Sequence, residues 1–516
     1  MPPDINCKNR VQSEANEEPV FWARQSHIYQ SQPLFEKVSL PELSFHQEAS
    51  LVAVVSLYQI LMFAGLSQAM APALEIASSF TNLSTGQHSW FTAAYALALG
   101  VFSLPSARLG DTQGHKLVVI IGCLWFALWS LLAGFSIDVQ KGGRNGTVYF
   151  CFCRAMQGIG PALCVPNGLS ILDKSLSLGK SGEMGLFLYS IAAPLGFVIG
   201  AVMSSLFGIN AAWEWSFFVL AAVCVSAAGL STLILPSQVI YKTPLSNSIW
   251  VQLDMSGILF GVSGLALFSF AWNQAPAVGW QTPYTYFLLI IGVMFFGAFI
   301  YNEAVVEDPL LPLSAMNSST NLVLACVAAG WGCFIIWAFY SFQLIEVLRE
   351  WNPLLSSAGL VPVAVESFAV GLLLASLMPG VEVYWAMLVS IISFLAASVL
   401  MATAPPGQTY WANTFVSNLL VTLGMVMTTP LATMLLRDNL PEEHRGAASS
   451  LVLATSNYAI SLALGMARTV EIQGGQGGQA ILSGFRGAQY YGLGLGGLGV
   501  ILALALMVNV VFIRSR

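Results

Sequence analysis

The side chains best suited to do chemistry in this sequence are polar residues that interrupt long apolar stretches. Arg154 and Gln157 lie three residues apart in one such stretch, and Glu366 lies in another. A charge at membrane depth is costly, so Arg154 is expected to face a cavity or a partner, and Glu366 to bind a proton or a cation. Together with Gln68 and Asn418, they are predicted to line a pathway for a solute and for protons. The alternative for each charge is a purely structural contact between helices.

The sequence contains no grouping typical of an enzyme, a cofactor site or a metal site. Its five histidines lie far apart, and no Ser/His/Asp or Cys/His grouping occurs. Residues 492–497 match the string G-x-G-x-x-G, but they lie in an apolar run without a preceding strand, which is typical of a helix packing face. Residues 179–181 resemble the end of a phosphate-binding loop that lacks its first glycine. We therefore predict no enzymatic activity, no cofactor and no metal.

The composition excludes a soluble protein. The chain has 516 residues, of which 56% are hydrophobic and 9% charged, and its mean hydropathy is +0.73. Soluble domains carry about 25% charged residues. Nineteen Lys and Arg against 25 Asp and Glu leave no basic surface for a nucleic acid. The composition therefore indicates a helical membrane protein whose surroundings are the lipid bilayer.

Fourteen apolar runs are long enough to cross a bilayer, which needs about 20 residues per helix. An even number places both chain termini on the same side. The predicted spans are 51–74, 88–107, 117–137, 148–172, 185–208, 215–236, 255–274, 284–302, 321–345, 357–378, 384–404, 411–436, 447–468 and 488–513.

The fourth and twelfth spans align with each other at an offset of 264 residues, which indicates an internal repeat. Pro166 then meets Pro430, and each span runs into a charged end, at residues 173–174 and 437–438. Duplicated halves are typical of secondary transporters, in which the substrate site lies between the halves near the midplane. The predicted parts are a disordered cytoplasmic tail (1–49), a six-helix bundle (50–236), a linker with two extra spans (237–320) and a second six-helix bundle (321–516).

Basic residues and glycosylation sequons both bear on the orientation. One set of connections, with the C-terminal tail, holds nine Lys and Arg, and the other set holds five, which favours cytoplasmic termini. The sequons at Asn82 and Asn145 fall in connections that would then be external, so we expect glycans there. The set of nine is Arg108, Lys116, Lys174, Lys180, Lys242, Arg437, Arg445, Arg514 and Arg516, and the set of five is Lys141, Arg144, Arg349, Arg468 and Arg486.

The connection between the second and third spans resembles a known signature. Its residues 106–116 resemble the loop Gly-x-x-x-Asp-Arg/Lys-x-Gly-Arg-Arg/Lys of the major facilitator superfamily. Asp111, Gly114 and Lys116 match that loop, whereas Thr112 and His115 replace two of its cations. The resemblance implies a conformational latch, and we expect the missing cations to weaken it.

Two further spans carry motifs of the same family. Residues 154–160 are similar to Arg-x-x-Gln-Gly-x-Gly at all four fixed positions, and the family links this arginine to proton transfer. Residues 193–200 loosely resemble the antiporter motif Gly-Pro-x-x-Gly-Gly, in which Pro194 matches. Proline kinks this span, and Gly196 and Gly200 would allow a close helix crossing. A plain kinked packing helix is the alternative.

The linker and the thirteenth span indicate which branch of the superfamily the sequence resembles. Residues 254–312, with their Trp, Asn and Pro turn, and residues 457–471 are similar to fungal fourteen-spanner exporters of the drug:proton antiporter branch, including the aminotriazole- and boron-efflux group. The resemblance covers residues 50–513. It implies two rocking six-helix bundles, a two-helix hairpin between them, and export of drugs, toxins or secondary metabolites.

The sequence thus predicts a secondary-active exporter of small organic molecules, working by alternating access and coupled to protons. Many relatives in that branch have an acidic residue inside the first span; here only Glu75 lies at its outer end, which gives more weight to Glu366. Trp331, Trp337 and Tyr340 are expected to line the cavity, or else to face lipid. The alternatives are an uncoupled facilitator, a boric-acid-type exporter and a sensor without transport. We expect a monomer in the plasma membrane, with the vacuolar membrane as the alternative.

Overall fold

The computed structural model describes residues 44–81, 87–175, 180–236, 249–306, 308–311, 313, 316–377, 381–440, 446–474 and 481–515. Every regular element in these ranges is a helix, and fourteen helices are long and apolar enough to cross a membrane, which confirms the predicted fold class. The helices are α1 (Phe45–Ser67), α2 (Trp90–Gln113), α3 (His115–Gly134), α4 (Gly146–Ser175), α5 (Lys180–Asn210), α6 (Glu214–Ile234), α7 (Met255–Val278), α8 (Pro283–Val305), α9 (Ser318–Gln343), α10 (Val361–Leu377), α11 (Val383–Thr403), α12 (Asn413–Asn439), α13 (Ala448–Gly474) and α14 (Ile481–Ser515).

Helix α1 begins and ends earlier than the apolar run suggests. Ser44 caps it, because its backbone N–H donates to the side chain of Gln47 at 2.9 Å in a capping box. The prediction of a disordered tail over 1–49 is therefore wrong for residues 45–49, which belong to α1. The rest of that tail, 1–43, lies outside the described residues.

The helices pack as two groups with a hairpin beside them. Helices α1 to α6 pack against one another, and so do α9 to α14, while α2 packs on α13 and α5 on α10 and α12 across the boundary. Helix α7 lies against α2 and α13, whereas in the described part of the chain α8 packs extensively on α7 alone. The first group is called the first bundle below and the second group the second bundle.

The two faces of the molecule can be distinguished by their connections. The Asp111 face carries the α2–α3 turn and the ends of α4, α6 and α12; the Glu75 face carries the α1–α2 and α3–α4 connections and the end of α9. At the α2–α3 turn, Gly114 has φ +96°, a conformation that glycine adopts without strain. Asn145 is exposed at the start of α4 on the Glu75 face, whereas Asn82 lies outside the described residues.

Contacts on the Asp111 face join the hairpin to the first bundle. Arg108, near the end of α2, donates to the carbonyl of Gln252 at 3.0 Å and lies 3.8 Å from the carboxylate of Asp308. Asp254 begins α7 with φ +47° and accepts from the backbone of Gly257 at 2.9 Å. This end of α2 is therefore anchored to both ends of the hairpin.

Candidate functional site

Arg154 is completely buried in α4, where three kinds of partner satisfy its guanidinium. Its Nε donates to the carbonyl of Phe91 and its Nη2 to the carbonyl of Gly65, each at 2.7 Å, and its Nη1 donates to Gln157. The guanidinium carbon also lies 4.5 Å from the ring centre of Tyr95, a cation–π distance. The arginine thus connects α4 to α1 and α2.

The charge of the buried Arg154 is stabilised by the dipoles of two backbone carbonyls and of the Gln157 amide. Within the described residues no carboxylate lies within ion-pair distance of Arg154. Gln157, also fully buried, donates onward to Ser130 of α3 at 2.7 Å. Neither side chain is among those that line the two cavities described below, and their hydrogen bonds join α4 to α1, α2 and α3.

An aromatic layer lies at the boundary between the bundles, around the middle of α9. The ring of Trp331 in α9 lies 5.6 Å from Phe63 of α1 and 5.9 Å from Phe394 of α11. Phe334 of α9 lies 5.7 Å from Phe197 of α5. Edge-to-face and tilted ring pairs at these distances are favourable. Packed rings therefore occupy this part of the boundary between the bundles.

Beside the aromatic layer, towards the Glu75-face ends of α9 and α12, is a small cavity of about 20 Å³, which we call the central cavity. It has space for about one water molecule. It is lined by Phe197 from the first bundle and by residues of the second, including Trp337, Tyr410 and Asn418. Asn418 donates to the carbonyl of Gly359 at 2.9 Å. Among the five predicted pathway residues, Asn418 is the one that lines this cavity.

The remaining predicted pathway residues lie elsewhere. Gln68 lies in a groove of about 130 Å³ between α1, α5 and α6, where its amide is 3.4 Å from the hydroxyl of Ser216. Glu366 of α10 is half-buried beside Thr422 of α12. The structure therefore does not bring the five together around one cavity.

The three predicted aromatic residues are all buried. Trp331, Trp337 and Tyr340 are at most 3% exposed, so none of them faces lipid. The indole N–H of Trp337 donates to Ser417 at 2.7 Å. Of the three, Trp337 lines the central cavity, while Trp331 belongs to the aromatic layer.

The α2–α3 loop forms a polar network that sequence reasoning described only in part. Asp111 lies 3.2 Å from Nε2 of His115 and 3.5 Å from the ammonium of Lys174, at the end of α4. The other ring nitrogen of His115 is 2.7 Å from Asn167. Lys174 thus supplies, from another helix, a cation that the loop itself lacks.

Lys116 and the glycines of α5 fix neighbouring helices. Lys116 donates to the carbonyls of Thr232 and Leu235 at 2.9 and 2.6 Å, which satisfies the end of α6. A Cβ on Gly196 would lie 2.7 Å from Cα of Ile60 in α1, and one on Gly200 would touch the backbone of Ala64. Pro194 lies two residues before Gly196, inside the continuous helix α5. The predicted close helix crossing is therefore the crossing of α5 with α1.

The two bundles touch at both faces. On the Asp111 face, Arg437 at the end of α12 lies 2.9 Å from Asp173 at the end of α4. On the Glu75 face, the hydroxyls of Ser205 and Ser357 are 2.9 Å apart, between α5 and the short helix Pro353–Ala358. We call these contacts the Asp111-face seam and the Glu75-face seam. Burial and the carboxylate of Glu214 raise the pKa of Glu75 near the second seam.

Sequence reasoning missed two pairs of charges. Asp173 and Arg437 are separated by 264 residues, the offset of the internal repeat, so the alignment itself could have paired them. Arg468 and Glu471 form an ion pair inside α13, which continues beyond the predicted span 447–468. Their spacing of three residues in a helical run was the available signal.

The Asp111-face seam gives a testable prediction. Asp173→Arg places two cations together, so we expect hydrogen exchange at the ends of α4 and α12 to rise about fivefold, since exchange reports local opening. Mass spectrometry in detergent measures it. The swap Asp173→Arg/Arg437→Asp should restore slow exchange. Asp138→Arg, at the exposed Lys141 pair, is the control and should change nothing there. Fast exchange in the swapped protein would contradict the pairing.

In the described part of the chain, twelve spanning helices form two bundles that meet at both faces, and two more form the hairpin beside them, an architecture that defines a helical membrane transporter. The chain belongs to the Major Facilitator Superfamily, which matches residues 55–465. The fold and the relatives are those of transporters and not of enzymes. Within the described residues, no group of three or more His, Cys, Asp or Glu could hold a metal ion.

Two relatives and one solved structure illustrate the similarity. The low affinity ammonium transporter of Saccharomyces cerevisiae is 43% identical, over 88% of each chain. The efflux pump terJ of Aspergillus terreus is 39% identical, over 89% of this chain and 88% of its own length. A POT family transporter crystallised with 5-aminolevulinic acid has a TM-score of 0.63 at 14% identity, covering 91% of this chain and 98% of that one. The predicted resemblance to fungal efflux proteins of the superfamily is confirmed.

Proposed function

We propose that this protein is a secondary-active exporter of small, largely apolar organic molecules, driven by exchange for protons. The observation that carries the proposal is the aromatic layer around Trp331, enclosed between the Asp111-face and Glu75-face seams. Aromatic and apolar walls with a few polar groups are typical of sites for organic ligands. The similarity to the efflux pump terJ supports the same function.

The proposed mechanism is alternating access. Opening one seam while the other stays closed exposes the centre to one side of the membrane at a time. The cavity of about 20 Å³ is then the closed remnant of a larger site, which forms when the rings of Trp331 and Phe334 separate from the first bundle. Asn418 and Trp337 would contact the substrate there.

A second candidate is transport of ammonium or another small inorganic solute. Two observations favour it: the central cavity has room for about one water molecule, and a relative at 43% identity is an ammonium transporter. Indole faces attract cations, so Trp331 and Trp337 suit this candidate as well.

One experiment in yeast separates the candidates. Cells that express the chain are loaded with a fluorescent cationic dye, and efflux is followed with and without a protonophore. Ammonium-limited growth is measured in parallel. Dye efflux that stops when the protonophore is added supports the proton-driven exporter. Dye efflux that continues at the same rate contradicts the coupling to protons. A growth change on ammonium without dye efflux favours the second candidate. A chain inactive in both assays and in a metabolite panel would contradict both.

Residue Asn418 provides a prediction for the cavity. Asn418→Leu fills the space with an apolar side chain and removes the bond to Gly359, so we expect the KM for the transported dye to rise about tenfold, equivalent to about 1.4 kcal/mol. Val416→Leu, on an exposed part of the same helix, is the matched control and should leave transport unchanged. An unchanged KM in Asn418→Leu would remove this residue from the site.

We further propose a monomer in the plasma membrane with cytoplasmic termini. Arg468 is 4% exposed and paired with Glu471, so the predicted external set loses one of its five cations. The remaining bias favours the same orientation more strongly. Protease access to a C-terminal tag in intact cells and in permeabilised cells tests this orientation.

A further inference from the structure

A buried ionic cluster lies towards the Glu75-face ends of α9 and α13. Arg468 and Glu471 of α13 form an ion pair, and the hydroxyl of Tyr340 in α9 donates to the Glu471 carboxylate at 2.8 Å. Arg468 is 4% exposed, and within the described residues its Nε makes no hydrogen bond. This cation therefore depends on one carboxylate for its charge balance.

The cluster lies where the two bundles meet. The ring of His88, just before α2, stacks on Phe339, the neighbour of Tyr340, with 5.7 Å between centres, and His88 also lies near Arg468. Farther along the same boundary, a Cβ on Gly100 of α2 would lie 2.6 Å from the backbone nitrogen of Tyr458 in α13. Movement of α2 past α13 must therefore change the surroundings of the ion pair.

We propose that Glu471 is a proton-binding site whose protonation opens the Glu75-face seam. One proton adds to the carboxylate, which becomes a neutral acid, and the ion pair with Arg468 is lost. The guanidinium then remains charged and buried without a counter-ion, a state that water relieves only if the boundary around it opens. Loss of the proton restores the pair. This proposal rests on the proposed function, because it treats the Glu75-face seam as a gate of the transporter.

The groups around Glu471 support this assignment over Glu366. Within the described residues no cation pairs with Glu366, and its neighbours Val365 and Phe368 are 69% and 48% exposed. A proton on Glu366 therefore leaves no buried charge unbalanced. Glu471 is surrounded by Arg468 on its own helix, Tyr340 on α9 and the uncharged Gly484 of α14. His88, before α2, lies near Arg468, and Phe485 of α14 packs on Tyr340.

Cysteine cross-linking across the seam tests the inference without a known substrate. Ser205→Cys/Ser357→Cys places two thiols where the hydroxyls are now 2.9 Å apart, and copper phenanthroline forms the disulfide only while the seam is closed. Maleimide labelling after denaturation counts the remaining thiols. The pH is held constant, because Glu346 lies beside Ser356 and would titrate too.

Two variants are compared in this background. Glu471→Gln mimics the protonated acid, and we expect the cross-linking rate to fall about tenfold as the seam opens. Arg468→Gln/Glu471→Gln removes the unbalanced cation as well, so the rate should return close to that of the parent. Asp138→Asn, at the exposed ion pair with Lys141, is the matched control and should leave the rate unchanged.

Equal cross-linking rates in the parent and in Glu471→Gln would overturn the inference. A double variant that cross-links as slowly as Glu471→Gln would also overturn it, because the unpaired arginine would then not be the cause of opening. Asp173→Cys/Arg437→Cys on the opposite face checks that each variant is folded. The cross-linking result does not depend on export, so the proposed function and this inference can fail separately.

Discussion

Replacing Gly196 with valine is expected to destabilise the protein by about 3 kcal/mol and to remove most of the folded transporter. A Cβ at this position would lie 2.7 Å from Cα of Ile60 and 2.9 Å from its carbonyl carbon. These are backbone atoms of α1, so no side-chain rotation can relieve the contact. Fluorescence-detected size-exclusion chromatography after heating measures the loss.

A matched control exists in α6. A Cβ on Gly229 would meet nothing within 4 Å, so Gly229→Val tests the same substitution in a helix without the crowding. We expect this control to behave like the parent protein within about 1 kcal/mol, the range of helix propensities. Equal losses in both variants would show that valine itself, and not the α1–α5 contact, is responsible.

The helices were predictable because each follows from a local property of the chain. A run of about 20 apolar residues must cross the bilayer, and the run around Arg154 does so despite its charge. The start of α1 was less predictable, since the capping box at Ser44 and Gln47 extends the helix beyond the apolar run. The close contact at Gly196 followed from the spacing of small residues, although its partner did not.

The site was less predictable because its contacts join residues that are distant in sequence. Trp331 contacts Phe63 across the bundle boundary, and no local pattern indicates how closely such rings pack. Similarly, Asp111 pairs with Lys174 from another helix, which the loop motif alone cannot show. Sequence patterns therefore identified the polar residues, whereas the small size of the central cavity depends on tertiary packing.

Replacing Arg154 with alanine is expected to destabilise the protein by about 4 kcal/mol, because it leaves buried acceptors unsatisfied and creates a cavity. The carbonyls of Phe91 and Gly65 would lose their donors, and Gln157 would lose one partner. Thermal unfolding in detergent measures the effect. Arg144→Ala, at an exposed arginine, is the control and should change stability by less than about 0.5 kcal/mol.

The conservative variant separates geometry from charge. Arg154→Lys keeps the cation, but a lysine cannot reach two carbonyls and an amide with the fixed fork of a guanidinium. If the three bonds hold α4 to α1 and α2, this variant should lose about half as much stability as Arg154→Ala, roughly 2 kcal/mol. A lysine variant as stable as the parent would show that charge alone is required at this position, which would favour a role in proton transfer over one in packing.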